Sequence, residues 1–190
     1  IFYNHKPAPW TGDIYSMATL CKGEPIVPAE KAENPYATRT VNLADYGGLA
    51  MRVEGSDAYA YLQYGREVTH GHFNKLSIHA FGKGGWYMRN LMGGYTDHFK
   101  EFLESVSSAC TIMVDGKNAN RDTGTLLCQK SQPGVEIASA RENAAWQDVE
   151  HERTVVLTKG PLIIIDRCLS ANEHAYDWLY YAENSCNLSP

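Results

Sequence analysis

The sequence predicts an all-β protein, an antiparallel β-sandwich of two stacked sheets with little helix. Segments rich in aromatic and β-branched residues alternate with turns made of Gly, Asp and Ser, a pattern that is typical of strands. These segments follow one another at short and fairly regular spacing, and helical spacing is confined to residues 98–106. Many short strands without intervening helices indicate a sandwich or a barrel.

The beginning of the chain differs in composition from the rest. Residues 1–37 are rich in proline, glycine and other turn-forming residues, which interrupt regular structure. We therefore predict an irregular Pro/Gly-rich lead-in over residues 1–37 and one β-sandwich domain over residues 38–190. No internal repeat or low-complexity segment interrupts the second part.

The individual strands are predicted from apolar patterns and from the turns between them. They cover residues 40–43, 49–53, 59–64, 76–81, 86–88, 111–114, 124–130, 135–140, 152–158, 162–166 and 175–180. In the fourth strand Leu76, Ile78 and Ala80 alternate with polar residues, which predicts one buried face. The run at 162–166 is almost entirely apolar, which predicts a strand covered on both faces.

Charge and apolar content exclude two classes of partner. The 190 residues carry a formal net charge of −5 and contain no cluster of Lys and Arg, which argues against nucleic-acid binding. The apolar runs are too short to span a bilayer, so we expect no membrane partner. An acidic ligand would have to meet a local positive site on this acidic chain.

One short segment concentrates histidine. His70, His72 and His79 are three of the seven histidines of the chain, and Gly71 separates the first two. In an extended segment His70 and His72 project from the same face, because side chains alternate with a period of two. Two imidazoles on one face can bind a metal, orient a carboxylate or transfer protons. His79, His98, His151 and His174 are interpreted as solvated or structural.

The segment at residues 70–77, HGHFNKLS, resembles the HGHxDxLS signature of the heparinase II/III-like family. Three later segments follow in the order of that family. Residues 90–95 resemble its D-x-G-x-x-Y segment, residues 111–116 its HNTVxVDG strand, and residues 153–178 its later strands. The resemblance therefore extends over most of the chain, from about residue 44 to residue 180.

The resemblance implies a fold and an activity. The family contains polysaccharide lyases, such as heparinases and alginate lyases, in which a helical α/α toroid precedes a β-sandwich. They cleave uronic-acid glycans by β-elimination, which requires neutralisation of the uronate carboxylate, a base for the C5 proton and an acid for the leaving oxygen. The expected partners are an acidic polysaccharide or oligosaccharide and an α/α toroid domain, and the expected location is periplasmic or secreted.

The family also carries a zinc site, and here the sequence departs from its pattern. The resemblance places the ligands at His72, at Asn90 where the family has Asp, and at Ala109 where it has His; Asn74 likewise replaces an Asp. An amide is a poor zinc ligand and alanine is none. We therefore expect no cofactor, and His72, Asn90 and Cys110 are the remaining candidates if a zinc ion is retained.

The candidate site residues follow from the resemblance and from side-chain chemistry. The catalytic candidates are His70, His72 and Tyr95, which the family order places at the cleft. The substrate-binding candidates are Arg89 and Arg153, which can bind a uronate carboxylate with two hydrogen bonds, and Trp86, which can stack on a sugar ring.

Two other functions remain open from the sequence. The substitutions at the zinc positions favour a non-catalytic carbohydrate-binding or structural module with a degenerate metal site. His70 and His72 also match the HxH of a cupin, but Leu76 and Ser77 stand where a cupin has its glutamate, and a second cupin motif is lacking. Because the toroid is absent from this sequence, the isolated chain is predicted to be inactive as a lyase.

Overall fold

The computed structural model of the protein describes residues 39–65, 72–91, 99–121 and 123–182. These residues belong to a compact unit that spans Pro35–Pro190. The predicted lead-in at residues 1–37 lies outside the described residues, as do His70 and Tyr95. The domain boundary at residue 37 and the roles of these two side chains therefore stay predictions.

Antiparallel strands form three sheets in the described part of the chain. The first sheet has the order β1 (Val41–Leu43), β2 (Gly48–Arg52), β3 (Tyr59–Gln63), β4 (Ser77–Gly82) and β5 (Gly85–Met88). The second has the order β10 (Leu162–Ser170), β9 (Val149–Thr158), β8 (Val135–Trp146) and β7 (Thr125–Gln132). In the third, β11 (Tyr176–Trp178) pairs with β6 (Ile112–Val114).

The two larger sheets face each other across a hydrophobic core. Leu49, Leu62 and Ile78 from the first sheet share one cluster of buried side chains with Ala140 and Val155 from the second. Each strand contributes every second residue to this cluster, as the period of two predicts. The structure therefore confirms the predicted all-β sandwich.

Helix is confined to short segments in the described part. The α-helix α1 (Lys100–Glu104) lies within the predicted helical spacing, and 3-10 turns occur at Ala44–Tyr46 and Val106–Ser108. Within the described residues, no helix is long and apolar enough to cross a membrane.

The second sheet differs from the prediction in the length of its strands and in the exposure of β10; β7 and β10 also extend past their predicted ends, to Gln132 and Ser170. β8 and β9 extend towards each other beyond their predicted ends, and their pairing contains a register shift between Glu142 and Trp146. The prediction that the run at 162–166 is covered on both faces is wrong, since Ile163 and Ile165 are 47% and 56% exposed. β10 is an edge strand, and these side chains point away from the core.

Candidate functional site

A cleft of about 150 Å³ lies on the face of the first sheet that points away from the core. β3 and β4 contribute two rows of side chains, because Tyr61 pairs with His79 and Gln63 pairs with Ser77 in the antiparallel register. Loops complete the walls. The lining residues are Tyr61, Gln63, His72, Asn74, Ser77, His79, Asn90, Leu91, Ser108 and Ala109.

His72 enters this cleft from the segment that precedes β4. Its Nδ1 lies 2.8 Å from the carbonyl oxygen of Leu103, and the neighbouring Phe73 N–H donates to the carbonyl of Glu104 at 2.8 Å. A carbonyl oxygen only accepts, so Nδ1 carries the proton and Nε2 is the basic nitrogen of the neutral ring. The end of α1 thus fixes both the orientation and the tautomer of His72.

Asn90 and Cys110, the other zinc candidates, are engaged in contacts that stabilise the fold. The Asn90 side chain is buried; its Nδ2 donates to Ser77 Oγ at 3.1 Å, and its Oδ1 accepts the Cys110 N–H at 2.7 Å. The Cys110 thiol belongs to the hydrophobic core, and burial raises its pKa, which disfavours the thiolate that binds metals.

The described residues do not fit a zinc ion beside His72. They contain no group of three His, Cys, Asp or Glu side chains that could hold a metal. The Asn90 oxygen already accepts a backbone hydrogen bond, and Ala109 offers no ligand atom. The expectation that no cofactor is used stays a prediction.

A row of aromatic rings continues from the cleft along the outer face of the first sheet. The ring centroids of Tyr61 and His79 are 6.3 Å apart, and those of His79 and Trp86 are 6.4 Å apart. Trp86 also meets Phe81 at 5.5 Å and Tyr59 at 6.4 Å, each pair edge to face. Such a row, called the aromatic row below, offers ring surface to a ligand.

Arginines bring positive charge to the aromatic row. The guanidinium carbon of Arg89 lies 5.8 Å from the ring centroid of Trp86, and that of Arg52 lies 4.7 Å from the ring centroid of Tyr59. Burial and the Arg89 charge lower the pKa of His79 to about 4, so this imidazole is neutral at pH 7. Burial raises the pKa of Tyr59 to about 12 against the opposing effect of Arg52.

None of the described residues that line the cleft is acidic. Asn74 and Asn90 stand at positions where the resemblance would place carboxylates. The described lining therefore carries no negative charge, and the Arg89 charge is close enough to act on His79, although the whole chain carries a net charge of −5. A site of this kind suits an anionic ligand better than a cation.

Arg153 lies behind the cleft, on the inner side of the second sheet. Its side chain is fully buried, and Nε and Nη2 donate to the two carboxylate oxygens of Asp166 at 2.7 and 2.9 Å. A substrate carboxylate would have to displace this partner. The predicted contact between Arg153 and substrate stays a prediction that this geometry does not favour.

The structure brings together some of the predicted residues and adds others. His72 lines the cleft, Trp86 belongs to the aromatic row, and Arg89 lies beside that ring. Tyr61 and His79 were not predicted as cleft residues. The alternation of His79 with the apolar residues of its strand signalled an outward-facing side chain, but the partner strand that brings Tyr61 beside it is not apparent from one sequence.

Comparison of the sequence with protein-family models gave no match, and comparison with curated proteins gave none. Solved structures do match. A heparinase III with methylated lysines has a TM-score of 0.66 and 11% identity, over 89% of this chain and 27% of that chain. A mutant of heparan sulfate lyase HepC from Pedobacter heparinus has a TM-score of 0.61 and 15% identity, over 74% of this chain and 23% of that chain.

The chain thus spans about a quarter of the length of these solved structures. At such low identity the likeness concerns the fold alone, and it agrees with the resemblance that the sequence motifs indicate. The described residues, with their two facing antiparallel sheets, have a heparinase-like fold.

Proposed function

We propose that this chain is the part of a polysaccharide lyase that forms one wall of the cleft for a uronic-acid glycan. The observation that carries the proposal is a cleft whose described lining residues include no carboxylate and which adjoins the aromatic row and Arg89, on a heparinase-like fold. The rings would contact sugar faces and Arg89 would attract the uronate carboxylate. Heparan sulfate is the first glycan to test, because HepC is named as a heparan sulfate lyase.

The chemistry of β-elimination assigns roles to the predicted residues. His72, whose Nδ1–H donates to the Leu103 carbonyl, would act at Nε2 as the base. His70 and Tyr95 are proposed as its catalytic neighbours. The remaining wall would come from an α/α toroid domain, in a protein that is periplasmic or secreted.

Binding by the isolated chain tests the proposal. Titration calorimetry with size-defined heparan sulfate oligosaccharides should show binding, whereas an uncharged cello-oligosaccharide of equal length should bind weakly or not at all. Arg89→Glu should weaken binding at least about tenfold, because it places a negative charge beside the cleft. Arg167→Glu is the matched control, since this exposed arginine lies on the second sheet. Equal affinity in both variants would contradict the proposed site.

Catalysis requires a separate measurement. The isolated chain should produce no rise in absorbance at about 235 nm, where the unsaturated uronate product of β-elimination absorbs, because the proposed active site needs a second wall from the toroid domain. A rise with heparan sulfate would show that this chain alone is an active lyase and would refute the prediction of inactivity.

A second candidate function is a non-catalytic carbohydrate-binding or structural module. Asn74, Asn90 and Ala109, at the positions of lost carboxylates and a lost imidazole, favour it. A lyase assay of the longer protein that would contain this domain distinguishes the two functions. His72→Ala should abolish the release of unsaturated sugar if the cleft is catalytic, and should leave turnover unchanged if the domain only binds.

A further inference from the structure

The buried guanidinium of Arg153 connects the second sheet to two segments of the cleft. In addition to its bidentate pair with Asp166, its Nη1 donates to the carbonyl oxygens of Leu76 at 2.6 Å and Cys110 at 2.9 Å. One side chain on β9 thus binds the backbone on both sides of the cleft floor. Its exposed fraction is 0%, so solvent does not compete for these bonds.

The two segments that Arg153 binds carry lining residues. Leu76 directly precedes Ser77, and Cys110 directly follows Ala109; both neighbours line the cleft. Asn90 joins the same segments from the opposite side, through Ser77 Oγ and the Cys110 N–H. Arg153 and Asn90 therefore close a ring of hydrogen bonds around the base of the cleft.

Leu76, whose carbonyl accepts a hydrogen bond from Arg153, has an unfavourable backbone conformation. Leu76 has φ of 53°, in the left-handed region that a leucine rarely adopts. Such a conformation persists when surrounding contacts determine it, and the Arg153 bond to the Leu76 carbonyl is one of these contacts.

Asp166 keeps the guanidinium of Arg153 in place. Its carboxylate also accepts a hydrogen bond from His151 Nε2 at 2.7 Å and one from Trp178 Nε1 at 2.8 Å. Since every oxygen of this carboxylate has two donors, the planar fork of Arg153 has one orientation.

We propose that Arg153 is a positioning residue, which sets the shape of the cleft without touching the glycan. The inference rests on the proposed function of the cleft. It assigns to Arg153 a role other than direct substrate binding, because its guanidinium holds the Leu76 and Cys110 carbonyls and, through them, the positions of Ser77 and Ala109.

Arg153→Lys tests the proposal, because lysine keeps the charge but not the planar fork that reaches Asp166 and both carbonyls. We expect the variant to bind a heparan sulfate oligosaccharide about tenfold more weakly. In ¹H–¹⁵N spectra without ligand, the side-chain amide signals of Asn90 and the backbone signal of Cys110 should shift.

The matched control is Val149→Ala, a truncation on the same strand in a different hydrophobic cluster. If Val149→Ala and Arg153→Lys have similar melting temperatures, Val149→Ala should keep the affinity and the Asn90 signals of the wild type. If Arg153→Lys loses no more affinity than Val149→Ala, or leaves the Asn90 signals unmoved, Arg153 does not position the cleft.

Two other outcomes, a wild type that binds no glycan and an Arg153→Lys variant that does not fold, can be distinguished from those above. If the wild type binds no acidic glycan, the proposed function fails, while the Asn90 signals still decide whether Arg153 shapes the cleft. If Arg153→Lys does not fold, Asp166→Asn takes its place, because it keeps Arg153 and removes the charge that orients it. Weaker binding with shifted Asn90 signals supports the proposal, and unchanged signals overturn it.

Discussion

The ring of Tyr61 lies across Gly48 of the neighbouring strand. A β-carbon added to Gly48 would be 1.9 Å from the Tyr61 hydroxyl oxygen and 2.4 Å from the ring carbon that bears it. The Tyr61 hydroxyl in turn donates to Gln63 Oε1 at 2.9 Å, and both side chains line the cleft. Because Gly48 has no side chain, the Tyr61 ring can occupy this space and form part of the cleft wall.

Gly48→Ala should displace Tyr61 and weaken glycan binding. The backbone at this position accepts alanine, so the substitution acts through the ring it pushes aside. We expect about tenfold weaker binding of a heparan sulfate oligosaccharide, or about 1.4 kcal/mol, measured by calorimetry. Gly160→Ala is the control, since the nearest atom to its new carbon is 4.0 Å away. Unchanged affinity in Gly48→Ala would exclude Tyr61 from the binding site.

Gly65→Ala should destabilise the fold. The backbones of Gly47 and Gly65 are in close contact. A β-carbon on Gly65 would be 2.3 Å from the Gly47 Cα, and this backbone atom has little freedom to move. The Gly47 carbonyl also accepts the N–H groups of Tyr64 and Gly65. We expect the free energy of unfolding in urea to fall by about 3 kcal/mol, the upper end for overpacking. A loss no larger than that of Gly160→Ala would contradict this close contact.

The lowered pKa of His79 predicts a pH-dependent stability. In the folded chain this imidazole takes up a proton only near pH 4, whereas an unfolded histidine does so near pH 6.5. The unfolded state binds more protons in between, so stability is highest above about pH 6.5 and falls as the pH drops towards about 4. The contribution is at most about 3 kcal/mol, reduced by the partial exposure of the ring.

The comparison with His79→Gln isolates this contribution. Urea unfolding at pH 7.5 and pH 5 should show a smaller loss of stability in the variant than in the wild type. His151, whose pKa burial also lowers, is present in both proteins and cancels in the difference. Equal losses would mean that His79 titrates normally in the folded chain.

Trp86→Ala should weaken glycan binding through the loss of ring surface. Trp86 contacts Phe81, Tyr59 and His79 and lies under Arg89, so its removal opens the centre of the aromatic row. We expect a loss of about 1–3 kcal/mol in binding, as for other buried aromatic contacts. Trp86→Phe should recover part of it, and Ile163→Ala, which truncates an exposed side chain on the second sheet, should have no effect on affinity. Full affinity in Trp86→Ala would show that the row is structural.

The sequence was sufficient to predict most of the fold. Alternation of apolar and polar residues identified the strands of the first sheet within about one residue of their ends, because one face of each is buried. The apolar run at 162–166 misled, since a run of isoleucines does not reveal whether its strand lies at the edge of a sheet. Ile163 and Ile165 are exposed for that reason.

The site was harder to predict because its residues meet through register and burial. An arginine in a single sequence is expected at the surface, and the burial of Arg153 depends on Asp166, which the register places directly opposite on β10. Tyr61 and His79 likewise meet through the pairing of two strands. The motif around His72 predicted one member of the cleft, and the neighbours became apparent only with the sheet assembled.

The hydrogen bonds of Arg153 would couple ligand binding at the proposed site to the folding of the sandwich. The base of the cleft is held by hydrogen bonds from the interior of the sandwich. A substitution that weakens core packing should therefore change the shape of the cleft at temperatures below the unfolding transition. In the proposed cleft, substitutions that change sugar preference should therefore be tolerated better at the outward-facing rings than at the floor, where each replacement also changes the contact between the two sheets.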